Sequence, residues 1–522
     1  MKVGLVLVLM TAVLLLGSAS LAGAQGLLAG AHKVTITPSG QAWIAGYGEN
    51  RRSAGAHDDL YCRALVLKSG EDTLAIVGLD LLGLVRPDVV KALEGVKSVP
   101  RDRVLVASTH THSGPDTIGL WGPTRAVSGV DKQYMASLLA KIAECVDAAA
   151  KNMQPARIKF ASTPVDGISV NAREPASLDR TAAVMKVESA DGSKTIATLV
   201  NFACHPETLN TNMLTADFAG ALYKRIEEKA GGVALFINGA LGGMVTVNVP
   251  GGGDKGKELW AEAEKVGNTL ADKALEAIEH AGALYEVPVK FKSAPLLVPM
   301  DNPGFQAMIA TGVLPNFSVN GNVNTQIAAA MIGPAQIATI PGEAYPKVGF
   351  EVKKMMKDEP KFVFGLCQDE LGYILLEEDF DKELYSYEKS MSVGKKMGPM
   401  LLEGLKTLLG EVSPGTYGSV AQWFAALPTI FRADKAGDLK AVYQFSLSGE
   451  GGGEWIVAVQ NEQISVKEGK AENADLTFRV SAQEWLAIVN KTSDPVQSYM
   501  TGKLQVDGDT ELAVRFAELV LQ

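Results

Sequence analysis

Apolar and polar positions from Ala31 to about Gly410 fall into blocks that switch between two periods. Largely apolar segments at Ala64–Lys68, Thr73–Leu79, Val104–Ser108, Thr195–Phe202, Val233–Ile237 and Gln336–Ile340 predict strands. Between them, apolar residues recur at helical spacing over Asp131–Lys151, Phe218–Lys229, Glu258–His280 and Lys395–Gly410. Strands alternating with helices predict an α/β (mixed α+β) domain over residues 25–410. The turn-rich stretch Ser413 to Ser419 stops the last helix, so 411–419 is expected to be a linker. A second pattern follows over 420–522. Ala441–Leu447, Glu454–Gln460, Glu462–Lys467 and Asp475–Val480 predict an antiparallel meander. Helices are predicted over Ser481–Asn490, Asp494–Thr501 and Thr510–Leu521, the first two opening on N-capping residues. This is a small α+β unit.

The first residues carry a different signal. Met1-Lys2 is followed by an uncharged apolar run from Val3 to Leu16 and then by Ala22-Gly23-Ala24, the order of a secretory leader. Residues 1–24 are therefore expected to be a signal peptide cleaved near Ala24, placing the protein in a periplasm or outside the cell. The alternative is an uncleaved anchor, but the run is short of the ~20 residues a bilayer requires.

Composition narrows the partners. The 522 residues carry 49 Lys and Arg against 59 Asp and Glu, a formal charge of −10, without the basic excess that phosphate backbones select. Nucleic acid is not an expected partner, and no motif points to a protein partner. Cys62, Cys145, Cys204 and Cys367 are too dispersed for a metal clip and too few for a disulfide scaffold.

Chemistry concentrates at two strand ends. Ser108-Thr109-His110-Thr111-His112-Ser113-Gly114-Pro115 follows one apolar run, and Asn201-Phe202-Ala203-Cys204-His205-Pro206-Glu207 closes another. Histidines at i and i+2 share one side of an extended chain, and imidazole nitrogen suits zinc. Packed core histidines are the alternative at this point.

These motifs, with Thr35-Ile36-Thr37-Pro38, Gly46-Tyr47-Gly48, His57, Arg63 to Leu67, Pro341-Gly342-Glu343 and Gly365-Leu366-Cys367 to Gly372-Tyr373, make residues 30–405 resemble the neutral ceramidase family of zinc amidases. The resemblance implies Zn2+ held by His110, His205, Glu343 and Tyr373. It implies that His112 contacts the substrate or the metal-activated water and passes a proton to the departing amine. Arg173 or Tyr373 would hold the developing oxyanion with the metal. Asp217 is either a carboxylate orienting an imidazole or a helix N-cap, and His57 is a cleft-lining candidate. The implied reaction is hydrolysis of the amide bond of ceramide or a related N-acyl lipid by metal-activated water.

Two departures bear on that expectation. The family's serine position falls on Gly243, which closes a serine acyl-enzyme route and leaves two alternatives open: a zinc amidase or esterase on a non-lipid substrate, or a non-enzymatic lipid-binding protein. The C-terminal unit, through Val442-Tyr443-Gln444-Phe445, Glu468 to Asp475 and Ser498 to Leu504, resembles the sterol carrier protein 2 domain. That likeness implies an apolar tunnel, with Trp455, Phe478, Trp485, Leu486, Met500 and Phe516 as candidate lining. A lipid substrate and transient contact with a membrane surface are the partners it implies.

Overall fold

Side chains in the strand Tyr61–Ser69 alternate between two cores: Cys62, Ala64 and Val66 face one side of the sheet, Leu65 and Leu67 the other. The next strand, Asp72–Leu79, does the same with Ala75 and Val77 against Leu74 and Ile76. Burial on both faces explains why these segments read as largely apolar. A computed structural model describes residues 26–246, 256–413 and 417–520, apart from Glu286, Asn316, Phe317, Asp358, Gly418 and Lys491. The expected signal peptide lies outside these residues, as do four of the nine residues of the expected linker.

The sheet has eight strands in the order Val233–Asn238, Thr195–Phe202, Thr181–Ser189, Gln154–Pro164, Leu28–Thr35, Tyr61–Ser69, Asp72–Leu79 and Val104–Ser108. Both outer pairs are parallel and the inner ones antiparallel. Helices Lys132–Lys151, Phe218–Ala230 and Gly256–Glu279 cover one face. The other face packs on a second, five-stranded sheet through Leu105, Leu235 and Ile237 against Ala330, Ile337, Phe362 and Phe364. Behind that sheet lie helices Pro346–Met355 and Met397–Val412. The layers therefore run helix, sheet, sheet, helix, which is the expected mixed α/β class.

Three parallel pairs, 72–79 with 104–108, 195–202 with 233–238, and 335–339 with 361–364, send their carboxyl ends into one set of loops. Open α/β sheets place ligands at such ends. Asn201 locks the two sheets together there, its side chain donating to Ile237 O and Val363 O at 2.8 Å each and accepting from Val363 N at 3.0 Å.

The C-terminal unit has its own aromatic core of Trp423, Phe424, Tyr443, Phe445, Phe478, Trp485 and Phe516. Its sheet runs 463–468, 453–460, 441–448, 476–481, 505–508. The expected meander is corrected here: 476–481 pairs parallel to 441–448, because the hairpin 453–468 acts as the crossover that a parallel pair requires. Ser481 and Asp494 cap their helices, accepting from Glu484 N and Gln497 N. A helix at Val420–Ile430 and the strand Gln505–Gly508 are additions to the expectation. Among the expected tunnel residues, Phe478, Trp485 and Phe516 are buried together, Trp455 stacks on Phe424, and Leu486 packs against them. Met500 does not join them: at the end of its short helix it is 77% exposed.

No helix among the described residues is long and apolar enough to cross a membrane. All four cysteines are buried and free.

Candidate functional site

The loop after Val104–Ser108 is tied to the loop after Asp72–Leu79: Thr109 N donates to Leu79 O at 2.8 Å and His110 N to Leu81 O at 2.9 Å. His110 adopts φ +71°, so the His-x-His pair does not reach a common side through an extended chain. A left-handed residue swings both rings inward instead. That conformation costs a non-glycine residue energy, and such residues collect at functional sites.

His205 follows Thr195–Phe202. Asn238, at the end of the neighbouring strand, is fully buried and joins both histidine loops: its Nδ2 donates to Thr109 O at 2.9 Å and Cys204 O at 2.8 Å, and its Oδ1 accepts from Cys204 N at 3.1 Å. Glu343 and Tyr373 come from the second layer, where Glu343–Ala344 and Tyr373–Ile374 form a two-residue parallel bridge.

These elements bring His110, His112, His205 and Glu343 together, all buried. The three imidazoles offer ring nitrogens within 4.8 Å of one another. His110 Nδ1 lies 2.8 Å from Leu82 O, and His205 Nδ1 lies 3.0 Å from both Leu241 O and Met244 O. Each Nδ1 therefore carries its hydrogen toward a carbonyl, and each Nε2 faces Glu343 Oε2, at 3.4 Å for His110 and 3.0 Å for His205. Three lone-pair atoms converge, so a proton or a cation must stand between them.

The charges follow from this geometry. Burial alone would raise the Glu343 carboxyl, but the His110 and His205 imidazoles hold it well below the ordinary carboxylate range. Burial disfavours a charged His205, yet the hydrogen bond and charge of Glu343 lift it to about 9. His112 goes the other way, kept neutral by burial and by its two neighbouring imidazoles. Burial, with the Glu343 charge, pushes the Tyr373 phenol well up.

The donor set fits a metal. A ligating histidine usually gives its second N–H to a carbonyl or carboxylate, and His110 and His205 both do so. His112 does not: neither of its ring nitrogens has a hydrogen-bond partner. That difference sets His112 apart from His110 and His205.

The other expected residues scatter around this centre. Arg173 directs Nε to Glu388 Oε1 at 2.8 Å, and Glu388 also accepts the Tyr345 hydroxyl at 2.7 Å. Asp217 orients no imidazole; it accepts from Phe218 N at 2.7 Å as a helix cap and from Leu209 N at 2.9 Å. The orienting acceptors of His110 and His205 are backbone carbonyls instead. His57 is half exposed and stacks on Trp260 at 3.8 Å, with Nδ1 2.9 Å from Asp58. Gly243 has φ +72°, and a Cβ there would sit 2.8 to 2.9 Å from the Tyr345 ring and hydroxyl. The phenol fills the space a side chain at 243 would take.

A cleft opens beside His110, His112 and Glu343, walled by Leu82, Ile118, Leu120, Trp121, Phe305 and Leu314. The sequence patterns gave no role to Glu207, Asn238 or Tyr345, although Glu207 lies inside the motif around His205. A fully polar residue closing an apolar strand, as Asn238 does, is the signal that was there to find.

Comparison with known proteins places the two units. Residues 28–249 match the family model for the neutral/alkaline non-lysosomal ceramidase N-terminal domain, and residues 427–521 match the SCP-2 sterol transfer family. The chain thus carries a ceramidase-type domain followed by an SCP-2-type domain. The solved neutral ceramidase from Pseudomonas aeruginosa shares the fold, with a TM-score of 0.61 and 18% identity over 74% of this chain and 75% of that one. A ceramidase complexed with C2 gives a TM-score of 0.63 at 18% identity and the same coverage. The C-terminal unit is similar to part of hydroxysteroid dehydrogenase-like protein 2, 27% identical over 107 residues in Mus musculus and 28% over 106 in Bos taurus. Those stretches are 20% of this chain and 22% and 25% of the two relatives, so the chain spans about a quarter of their length.

Proposed function

We propose that this chain is an exported, zinc-dependent hydrolase that cleaves the amide bond of a ceramide-type or related N-acyl lipid, with its C-terminal unit binding the lipid. The observation that carries the reading is the convergence of His110 Nε2 and His205 Nε2 on one buried oxygen of Glu343, both rings locked by backbone carbonyls. The ceramidase-type domain match and the shared fold support the reaction class. The leader pattern from Met1 to Ala24 supports export.

His110, His205 and Glu343 would hold the ion, with Tyr373 beside Glu343 on the paired strand. Zinc supplies Lewis-acid chemistry at an acyl carbonyl and makes water nucleophilic near neutral pH. The apolar cleft wall takes the acyl chain and keeps water from the bound amide. Neutral His112, with both nitrogens unpartnered, is the group available to carry a proton to the departing nitrogen. Tyr373 is the better placed oxyanion donor, since Arg173 already spends its Nε on Glu388. The Tyr345 ring closes off position 243, which supports direct attack by water over a route through a side-chain nucleophile.

Metal analysis of the purified protein, coupled to fatty-acid release from N-acyl lipids of graded chain length, tests the proposal. One zinc per chain and a preference for long chains are expected. A protein purified without metal that releases no fatty acid would overturn it, and faster turnover of short soluble amides would move the substrate to the non-lipid class.

A further inference from the structure

Both metal-facing rings have an orienting acceptor on the backbone, whereas His112 has none. It is buried, with Nδ1 and Nε2 both unpartnered. Its ring is nevertheless walled in. A Cβ on Gly46 would lie 2.5 Å from the His112 Cβ and Cγ, so the backbone of residue 46 presses against the ring's base. Tyr47 contacts it edge-on at 5.1 Å between centroids. The free variable is which nitrogen carries the hydrogen.

One carboxylate faces that choice. Glu207 Oε2 lies 3.7 Å from His112 Nδ1, beyond a hydrogen bond but within the range that tightens when a substrate fills the site. The loop carrying Glu207 is pinned on several sides. Tyr47 Oη donates to Glu207 O at 2.9 Å, Asp217 holds Leu209 N, and Arg51 donates to Thr211 O at 2.7 Å. His112 N donates to Pro206 O at 3.2 Å, which ties the two segments together. Four anchored contacts for one unengaged carboxylate exceed what a surface loop needs.

Building on the hydrolase reading, we propose that Glu207 is the positioning residue of His112: it accepts the Nδ1 hydrogen and fixes the tautomer whose Nε2 lone pair faces the cleft. Water oxygen then bonds the acyl carbon, one water proton passes through Nε2 to the departing nitrogen, and the carbon–nitrogen bond breaks. The products are a carboxylic acid and an amine, and His112 returns to its starting tautomer. A partner of this kind serves substrates whose leaving group needs a proton, which assigns the site to unactivated amides.

The test uses the full-length, metal-loaded protein with Glu207→Ala, Glu207→Gln and His112→Ala, singly and with Glu207→Ala combined with His112→Ala. Two substrates are compared: an N-acyl amine, and the nitrophenyl ester of the same acid, whose leaving group departs without a proton. Glu207→Ala is expected to lower kcat on the amide by about 10- to 100-fold, to change KM and metal content little, and to cost at least roughly tenfold less on the ester. Glu207→Gln, which keeps an acceptor oxygen, should recover part of the loss. The double variant should be no slower than His112→Ala alone. Equal losses on both substrates, or additive losses in the double variant, would overturn the proposal. A second measurement stands apart from turnover: imidazole nitrogen NMR of histidine-labelled protein should show His112 with its hydrogen on Nδ1 in the unaltered protein and a tautomer mixture in Glu207→Ala. The same tautomer in both overturns the positioning role. Absence of hydrolysis by the unaltered protein, with the tautomer shift present, would instead overturn the amide-hydrolase reading.

Discussion

The two units of this chain both gather polar atoms inside a buried core, and the chemistry of those atoms is opposite. In the ceramidase-type unit the His110 and His205 Nε2 atoms converge on one Glu343 oxygen, beside the ends of parallel strands. In the SCP-2-type unit the unpartnered atoms are the Tyr443 hydroxyl and the Trp455 and Trp485 ring N–H groups, set inside an aromatic core. Two imidazole nitrogens and a carboxylate oxygen meeting at one point call for a proton or a cation between them; unpartnered indole N–H groups call for an acceptor. The two cores are built by different means. The first is held by hydrogen bonds between loops, the second by ring packing.

The sharpest way to break that contrast is to remove an acceptor. His205→Ala, or Glu343→Ala, should abolish metal retention and lower hydrolysis by roughly 10³-fold or more, measured by metal analysis and product release. Chelation of the unaltered protein should do the same reversibly. Retention of metal by either variant would show that the convergence is not a metal site.

Trp485→Ala attacks the other core. Trp485 is 1% exposed and contacts Trp423, Phe445 and Phe478, so truncation should cost about 3–5 kcal/mol. In thermal unfolding the loss should appear in the C-terminal unit alone, with metal content unchanged. A fall in metal content would mean that the two cores are coupled.

Asn238→Ala asks whether the first site depends on its loops. It strips bonds from Thr109 O, Cys204 O and Cys204 N, and should cost about 2–4 kcal/mol while weakening metal retention. Stability measured by denaturant, beside metal affinity, checks both. Gly243→Ser should have the smallest effect, about 1–3 kcal/mol from the left-handed backbone and the collision with Tyr345. Hydrolysis should fall with it. A gain in rate would show that a hydroxyl at 243 takes part after all.

The sequence was legible where one residue type answers one local demand. Double-sided burial produced the apolar runs at 73–79, 104–108 and 195–202, and all three are strands. The strand Val289–Pro299 escaped notice because it carries Pro295 and Pro299, which demote a strand-like run. Proline is tolerated there because the strand is an edge of its sheet, a fact no local window contains. The parallel pairing of 476–481 was missed for the same reason: strand period is the same whichever neighbour a strand takes.

His110, His205, Glu343 and Tyr373 could be picked out because motifs mark them, and Asp217 could be read as a cap from its place before an apolar helix. By itself the sequence determined which segments become strands and helices, that two histidines would close apolar strands, and that two differently patterned units follow one another. Only the tertiary structure decided that His110 turns through a left-handed residue and that its Nδ1 is taken by Leu82 O. Only there does Tyr345 occupy the space above Gly243, and Glu207 come to face His112. Periodicity and propensity are set by neighbours along the chain. Which lone pair meets which charge is set by sheets that bring together residues far apart in sequence, and burial then makes each such meeting costly to leave unpaired.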